Sequence, residues 1–496
     1  MAERRQTGDG DVFLCVDLGA SGGRVMAAQF DGTRVELEEV VRFPNHPVSD
    51  GNSLRWDIAR LVDRVQDGIG RAVGSYGRSL VSVGVAGWGV DFGLIDSAGH
   101  LLAQPYSYRD SRVAAMPTRI FSRVDERDWY RMTGVATMQI NTLFQLAWAA
   151  EHERGLLDRA AQALLISDLV GFHLSGVPVT ELTIASTTQM LDIRSHKWLR
   201  SELVDIGVPA ELFRDPVAPG TIVAGAGSPI ATTAGVPISV VAVAGHDTAS
   251  AFAGSGARDG EAILSSGTWA LLGVQGPTPH TGSDAFDAGL TNEIAADGRV
   301  RTLRNLTGFW LLQQCLRSWE TPQDRLDFST LVVEAEQAPA FGAVIDTEDP
   351  RFASPGDMPE KIKEYCRETQ QEAPENRGET TRVILESLAL KFRATHRTLE
   401  RILGSPIGGI RVVGGGSRNR LLDELTASAT MVPVTAGHPE ATSLGNALIQ
   451  MQASGRISSL EEGLQVLADS YDEHVFMPAV DPRWDEAAQR LESIKP

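Results

Sequence analysis

The strongest candidate for acid–base chemistry is Asp247, in the segment VAVAGHDTASA (241–251). An apolar strand, small residues and a helix follow one another here, which puts the carboxylate where α/β sheets bind ligands. It could accept the proton of an alcohol at this position. It could equally cap the helix, which is the commoner use of such an aspartate. His246 is similarly open, because it could contact a ligand or a backbone carbonyl.

A second candidate is a phosphate-binding turn in VDLGASGGR (16–24). Its glycines let the backbone approach a phosphate closely, and Ser21 and Arg24 can donate hydrogen bonds to the phosphate oxygens. Asp17, at the strand end, is placed to hold Mg²⁺ through water, as that ion prefers. An ordinary hairpin turn would use the same residues.

Two further turns of small residues lie in the second half of the chain, SSGTW (265–269) and VVGGGSRN (412–419). The first could form an opposing wall of a phosphate site, although a simple turn explains it as well. The second offers bare backbone against which a flat ligand could lie. It differs from the dinucleotide motif G-x-G-x-x-G, so a nucleoside is favoured over a nicotinamide cofactor.

Polar and aromatic residues are mixed in GWGVDF (87–92) and YRDSR (108–112). Such side chains suit hydrogen bonding and stacking to a polyhydroxylated ligand, although structural ion pairs are an alternative. The chain has no P-loop G-x-x-x-x-G-K-[ST], no metal-type histidine pair and no G-x-S-x-G nucleophile elbow. These absences exclude the main competing enzyme classes.

The elements that must position these residues follow from hydrophobic periodicity. The predictions are a β-meander over 12–43, a helix over 57–73, strands over 81–87, 240–245 and 261–276, a short helix from about 247, and a long helix over 383–403. The polar segment 367–381 is predicted to be a surface connection. The two strand-turn-strand units at 16–30 and 262–276 resemble each other, which indicates an internal duplication with a boundary near 250–258.

Composition limits the class of protein. A chain of 496 residues is longer than one hydrophobic core supports, so two domains are expected. A net charge of −19 disfavours nucleic acid and membrane surfaces as partners. The three cysteines are far apart in the sequence, which is typical of reduced thiols and a cytoplasmic protein. The first ten residues have no apolar run, so no secretory leader is expected.

Taken in order along the chain, VDLGASGGR, GWGVDF, YRDSR, GHDTASA, SSGTW and VVGGGSRN resemble the FGGY-type carbohydrate kinases. The likeness spans nearly the whole chain. It includes the less common segments TNE (291–293), RNLTGFWLLQ (304–313), VIDTEDPRF (344–352) and PEATSLGNALIQ (439–450). This combination is far more specific than any one glycine turn.

The resemblance implies an α/β fold with two ribonuclease-H-like lobes of the actin and sugar-kinase superfamily, over 11–253 and 254–480, with a cleft between the lobes. It implies ATP and Mg²⁺ as cofactors and a small sugar as substrate. The implied ATP-binding residues are Ala20, Ser21, Gly22, Gly23, Arg24, Thr268, Gln313 and Gly415 or Gly416. The implied sugar-binding residues are Gly89, His246, Asp247, Thr248 and Asn305, with Asp247 as general base.

Within this family the pattern is closest to the rhamnulokinases, which implies phosphorylation of L-rhamnulose at its C1 hydroxyl. One departure concerns the sugar site, because such kinases carry an aspartate and a small hydroxyl residue where this chain has Ala86 and Gly87. A lost carboxylate can shift specificity, so a kinase of another ketose, such as L-fuculose or xylulose, is an alternative. A non-catalytic ATP- and sugar-sensing protein and an actin-type filament ATPase are alternatives of other classes. A monomer or small homo-oligomer is expected.

Overall fold

The computed structural model describes residues 10–51, 53–321 and 326–494. The predicted absence of a secretory leader concerns the first ten residues, and residues 1–9 lie outside the described part of the chain. Among the helices of the described residues, each is too short or too polar to cross a lipid bilayer.

Strands and helices alternate along the chain. The strands are β1 (Asp11–Leu18), β2 (Gly22–Phe30), β3 (Val35–Pro44), β4 (Val48–Asp50), β5 (Ser53–Arg55), β6 (Leu80–Gly87), β7 (Phe92–Ile95), β8 (Gln162–Leu165), β9 (Thr221–Ala224), β10 (Ser239–Ala242), β11 (Glu261–Ser266), β12 (Trp269–Gly276), β13 (Thr291–Ile294), β14 (Val300–Thr307), β15 (Gly409–Val413), β16 (Val434–Ala436) and β17 (His474–Phe476).

The helices are α1 (Ile58–Tyr76), α2 (Met116–Phe121), α3 (Glu126–Thr133), α4 (Thr142–His152), α5 (Arg154–Leu157), α6 (Ile166–Ser175), α7 (Leu182–Ala185), α8 (Arg200–Asp205), α9 (Pro229–Ala234), α10 (Asp247–Ala253), α11 (Ser283–Asp287), α12 (Trp310–Trp319), α13 (Phe328–Gln337), α14 (Met358–Glu368), α15 (Arg377–Leu403), α16 (Arg420–Thr430), α17 (Ala441–Ala453), α18 (Leu460–Ser470) and α19 (Arg483–Ser493).

The chain forms two compact units, each assembled from three segments. The first unit consists of Met1–Gly256, Gln275–Thr302 and Ala441–Asp472. The second consists of Ala257–Val274, Leu303–Glu440 and Glu473–Pro496. A division into lobes at residues 253 and 254 stays a prediction, since the first compact unit also takes in two later segments.

The first unit contains a mixed sheet with strand order β3-β2-β1-β6-β10-β9. Its first three strands are the predicted meander and pair antiparallel, whereas β1, β6 and β10 pair parallel. The central strand β1 is buried on both faces. Leu14 and Val16 pack in a core with α1, whereas Phe13 and Cys15 pack in a core with α17. Burial on both faces explains why this strand is apolar from Val12 to Val16 rather than alternating.

The strands of the second unit lie in the order β14, β12, β11, β15, β16 and β17. Pairing is antiparallel between β12 and β11, parallel from β11 through β15 to β16, and antiparallel to β17. The first unit shows the same succession of directions from β2 through β1, β6 and β10 to β9. The repeated order agrees with the internal duplication that the sequence indicates.

One element differs from its prediction. The polar segment 367–381 was expected to be a connection, but α15 already begins at Arg377. Asn376 caps this helix by accepting a hydrogen bond from the backbone of Glu379, and the Glu379 side chain returns to the backbone of Glu375. This arrangement resembles a capping box, shifted by one residue, and it lets a polar sequence start a helix six residues before its apolar face begins.

Candidate active site

The carboxyl ends of three parallel strands meet at one edge of the first unit's sheet. β1 pairs with β6 so that Asp17 lies opposite Ala86 and Leu18 lies opposite Gly87. The backbone N–H of Gly87 in turn donates to the carbonyl of Gly245, which follows β10, at 2.9 Å. The segments that follow β1, β6 and β10 are therefore neighbours, as expected for strand ends of a parallel sheet.

Asp247 is the first residue of α10, and His246 holds the N-cap position. The capping alternative for Asp247 is therefore wrong. Its carboxylate accepts a hydrogen bond from the Thr248 hydroxyl at 3.1 Å, and 29% of its side chain is exposed. Burial raises the pKa of this carboxyl, His246 opposes the rise, and the charge of Asp17 adds to it. A raised pKa and partial exposure both suit a general base.

The turn between β1 and β2, which is predicted to bind phosphate, is closed by a backbone hydrogen bond. The N–H of Gly19 donates to the carbonyl of Gly22 at 2.9 Å. Beside the turn lies an open pocket of about 600 Å³, whose lining is Asp17, Gly19, Ser21, Gly22, Gly23, Arg24, Arg42, Phe43 and Pro44. A side chain at Gly23 would place its Cβ 2.3 Å from the Phe43 ring. A side chain at this position would therefore require the Phe43 ring to move.

Arg24 and Asp17 form an ion pair beside this turn. Nε and Nη2 of Arg24 donate to one oxygen of Asp17, Oδ2, at 2.9 and 2.6 Å. The two side chains were predicted to serve phosphate and Mg²⁺ separately. In the structure they contact each other, so both are already oriented toward the pocket that they line.

A buried network lies behind His246. Its Nδ1 is 3.1 Å from Oε2 of Glu293, and Nη2 of Arg301 donates to the same oxygen at 2.7 Å. Although burial alone raises it, the charges of His246 and Arg301 lower the pKa of Glu293 to about 2. The Nε2 atom of His246 lies 3.5 Å from Oδ1 of Asp247.

A second buried carboxylate organises the segment after β6. Asp91 accepts hydrogen bonds from four donors, and the donors are the indole nitrogens of Trp56 and Trp88, the side-chain amide of Gln145 and the backbone of Tyr108. Burial raises the pKa of Asp91 to about 6 against these hydrogen bonds. The preceding residue, Val90, has φ +70°, which is strained for a β-branched residue.

In the second unit, Thr268 lies in the turn between β11 and β12. Its hydroxyl is hydrogen-bonded to the side chain of Gln313 on α12, whose Nε2 donates to it at 3.0 Å. The N–H groups of Gly308 and Trp310 both donate to the Thr268 carbonyl at 3.2 Å. Thr268 and Gln313, which are 45 residues apart, are therefore brought together by the start of α12.

The glycine turn after β15 lies against the same strand end. β11 and β15 are parallel neighbours, and Gly414 adopts φ +79°, which favours glycine. A Cβ on Gly416 would lie 2.2 Å from Oγ of Ser266. Backbone of the turn and of the SSGTW segment are thus in direct contact, and side chains larger than hydrogen are excluded between them.

The predicted residues are divided between the two units. Those in the first unit are Asp17, Ala20, Ser21, Gly22, Gly23, Arg24, Gly89, His246, Asp247 and Thr248. Those in the second unit are Thr268, Asn305, Gln313, Gly415 and Gly416. Gly89 sits in the segment after β6, where a Cβ would lie 3.1 Å from the Thr187 hydroxyl. Asn305 is in β14.

Sequence reasoning missed Glu293 and Arg301. A signal was available in Asp297-Gly298, a dipeptide that favours a hairpin turn. The N–H of Ala295 donates to the carbonyl of Arg299 at 2.8 Å across this turn. The hairpin therefore sets the acidic and the basic residue side by side on one face.

Comparison with known proteins decides the family. The models of the FGGY family of carbohydrate kinases match residues 12–254 with the N-terminal domain and residues 262–454 with the C-terminal domain. The chain belongs to the FGGY family of carbohydrate kinases. This FGGY kinase is therefore an enzyme that uses ATP to phosphorylate a carbohydrate.

Curated relatives of this FGGY kinase include rhamnulokinases. It is 38% identical to the rhamnulokinase of Bacteroides thetaiotaomicron over 477 residues, which cover 96% of this chain and 97% of the relative. It is 38% identical to the rhamnulokinase of Enterococcus faecalis over 470 residues, which cover 94% of each chain.

Solved structures show the same fold. A gluconate kinase from Lactobacillus acidophilus matches with a TM-score of 0.77 at 14% identity, covering 98% of this chain and 96% of that chain. A xylulose kinase from Rhodospirillum rubrum matches with a TM-score of 0.77 at 18% identity, covering 97% of each. The predicted fold, two α/β domains of the actin-like type, is confirmed.

Proposed function

We propose that this FGGY kinase transfers the γ-phosphoryl group of ATP to the C1 hydroxyl of L-rhamnulose, with Asp247 as general base. The position of Asp247 carries the proposal for the reaction, because a partly exposed carboxylate starts a helix at the edge where three strands end. The identity of 38% to curated rhamnulokinases over nearly the full length supports the choice of sugar. Since ATP is abundant in the cytoplasm, we expect the enzyme to act there.

Asp247 would take the proton from the sugar hydroxyl while the hydroxyl oxygen attacks the γ-phosphorus. Phosphoryl transfer demands little covalent chemistry from the protein and depends on in-line positioning and on charge stabilisation. Thr248 donates to the Asp247 carboxylate, which orients it. The raised pKa of Asp247 makes its carboxylate a stronger proton acceptor than a solvated aspartate.

The phosphates of ATP would be held by the turn Ala20–Arg24, whose backbone N–H groups and guanidinium are donors suited to phosphate oxygens. In the second unit, Thr268, Gln313 and the glycines at 415 and 416 would contact the nucleotide. The Thr268–Gln313 hydrogen bond fixes both side chains before a ligand arrives, which reduces the entropy lost on binding.

Mg²⁺ would be held mainly by phosphate oxygens and water, with Asp17 as the protein group that contacts its water shell. In the described residues there is no cluster of three or more acidic, histidine or cysteine side chains able to bind a metal directly. A lone carboxylate near a phosphate turn fits the way in which Mg²⁺ is usually held at nucleotide sites. The bound ion would supply charge neutralisation at the transferring group.

The sugar site would comprise Gly89, His246, Asp247, Thr248 and Asn305. A second candidate is a kinase of another ketose, and Ala86 and Gly87 are the observation that favours it. Ala86 is fully buried, and a Cβ at Gly87 would meet Leu18 only at ordinary contact distance, 3.5 Å. A hydroxyl side chain would fit at 87, so its absence frees space beside the sugar-binding segment.

The deciding experiment is turnover of L-rhamnulose, L-fuculose, xylulose and glycerol, followed by coupled detection of ADP. We expect kcat/KM to be highest for L-rhamnulose by at least about tenfold, which corresponds to 1.4 kcal/mol of transition-state discrimination. A higher value for another ketose would replace the proposed substrate. Turnover of none would contradict the proposed reaction.

We predict that Asp247→Asn lowers kcat by at least about a thousandfold, because the amide cannot accept the hydroxyl proton. Sugar and ATP affinities measured by calorimetry should change little, since the variant is isosteric. The matched control is Glu486→Gln, which removes a carboxylate from the first turn of another helix, α19, and should leave kcat unchanged. Turnover within tenfold of the parent in Asp247→Asn would exclude this residue as the base.

A further inference from the structure

Four side chains of the first unit form a continuous chain that ends at the proposed base. Nη2 of Arg301 donates to Oε2 of Glu293 at 2.7 Å, and this oxygen lies 3.1 Å from Nδ1 of His246. The Nε2 atom on the other side of the ring lies 3.5 Å from Oδ1 of Asp247. The imidazole of His246 is thus held between two carboxylates.

Three of the four side chains are buried. Arg301 is fully buried, and Glu293 and His246 are 6% and 9% exposed. The face of the Phe252 ring lies 5.3 Å from the Arg301 guanidinium. Burying charged groups costs free energy, and apolar residues in place of a buried ion pair are often equally stable. Stability alone therefore does not explain why an arginine and a glutamate lie here.

The geometry also limits the protonation of the ring. Glu293 is ionised and can only accept, so a hydrogen bond to it requires a proton on Nδ1 of His246. Arg301 Nη2 lies 3.2 Å from the same Nδ1, but its bond to Glu293 is shorter and charge-assisted. With Nδ1 committed to Glu293, only Nε2 remains to face Asp247 and a ligand.

We infer that Glu293 is a positioning residue, clamped by Arg301, which fixes the orientation and tautomer of His246 so that Nε2, which carries no proton in this tautomer, can accept a hydrogen bond from a sugar hydroxyl beside Asp247. This inference rests on the proposed function, because it gives the fixed imidazole a substrate to orient. It differs from a purely structural ion pair that joins the hairpin of β13 and β14 to α10. The two roles separate in experiments that observe the ring itself.

The first experiment records long-range ¹H–¹⁵N spectra of protein labelled at its ten histidines, with His246→Gln identifying the His246 signals. In the parent we expect the Nδ1-protonated ring, and in Glu293→Gln a shift toward a mixture of tautomers. The matched control is Asp96→Asn, which removes the carboxylate 3.3 Å from Nδ1 of the exposed His100 and should leave the His246 signals unmoved. Unchanged His246 signals in Glu293→Gln would overturn the inference.

The second experiment is a kinetic cycle of Glu293→Gln and His246→Gln. Each single variant should lower kcat/KM for the sugar by at least about tenfold, with KM for ATP changed by less than about twofold. The double variant should be no worse than His246→Gln alone, because Glu293 acts through the ring. Losses that multiply in the double variant would show that Glu293 acts by another route.

Glu293→Gln leaves Arg301 as a buried cation without its partner and could unfold the protein. The variant Glu293→Gln with Arg301→Met removes both charges together and keeps the region packed. It should show the same change of the His246 tautomer as the single variant. Restoration of the parent tautomer and turnover would assign the pair a structural role. The proposed function is tested separately by Asp247→Asn. Activity of that variant would contradict the proposed function, whereas the tautomer measurement on His246 would keep its result.

Discussion

At the scale of single residues, Asp91 determines the local structure beside the proposed sugar site. Its carboxylate is the common acceptor for two tryptophan indoles, one amide and one backbone N–H. The strained backbone of Val90 next to it costs about 1–3 kcal/mol and persists only where surrounding contacts hold it. The carbonyl of Val90 accepts from the Thr142 hydroxyl at 2.7 Å, which is one such contact.

We predict that Asp91→Asn destabilises the protein by about 2–3 kcal/mol, because the amide has one acceptor oxygen and leaves buried donors unpaired. Tryptophan emission should change, since the oxygen that accepts from both Trp56 and Trp88 loses its negative charge. KM for the sugar should rise more than kcat falls. Urea denaturation, fluorescence and steady-state kinetics measure the three effects.

The control for this variant is Asp158→Asn, which removes an exposed carboxylate paired with Arg154 on the surface. Surface pairs of this kind contribute at most about 1 kcal/mol. Equal stability and equal emission of Asp91→Asn and the parent would show that Asp91 is not the anchor of these indoles.

At the scale of elements, the helix that begins with Asp247 is fixed by an unusually close crossing. α10 and α17 approach so closely that a Cβ on Gly445 would lie 1.9 Å from the carbonyl oxygen of Ser250. A Cβ on Gly254 would lie 2.1 Å from the carbonyl oxygen of Ala441. Both glycines have backbone as their neighbour, which cannot move aside as a flexible side chain can.

We predict that Gly445→Ala lowers stability by about 1–3 kcal/mol through overpacking and also lowers kcat, because α10 must shift and it carries Asp247. The matched control is Gly70→Ala in α1, where a Cβ meets nothing within 4 Å. That change should raise stability by about 0.5–1 kcal/mol, since alanine favours a helix over glycine. Thermal unfolding and turnover of both variants measure these effects. A Gly445→Ala variant with the stability and kcat of the parent would contradict the prediction.

The elements also show how far local sequence can predict this site. Asp247 and the turn 19–24 were predictable because each follows directly from an apolar strand and small residues. The contact of Glu293 with His246 was not, because it joins segments 47 residues apart through tertiary structure. The sequence also did not predict that α17 packs in the first unit, since its apolar face would fit a core in either half of the chain. All of the site assignments, Asp247 and the turn 19–24 included, stay predictions until ligand binding is measured.

At the scale of the whole molecule, two buried acids make stability depend on pH. Burial and the charge of Glu181 raise the pKa of Asp168 well above its usual range, and burial raises that of Glu181. Glu181 is well supplied with donors, among them the N–H of Gly245 at 2.8 Å. Asp168 accepts only from the backbone of Glu181 among the hydrogen bonds of the described residues.

We predict that Asp168→Asn stabilises the protein increasingly as pH rises. A carboxyl with a raised pKa in the folded state favours folding while it is protonated and opposes folding once it must ionise. Below the pKa of the unfolded state, about 3.9, the variant and the parent should be equally stable, and above it the variant should gain. Urea midpoints between pH 4 and pH 8 measure this, and a constant difference across that range would contradict it.

A helix late in the sequence, α17, completes the unit that contains the early strands β1 and β6. Asn446 and Gln450 of α17 are fully buried, and their amides donate to the carbonyls of Gly84 and Leu14 at 3.1 and 3.0 Å. During translation, β1 and β6 therefore leave the ribosome long before the helix that covers one of their faces. Until that helix is made, this face of the first unit is uncovered, and exposed apolar surface of this kind makes a nascent chain prone to aggregation.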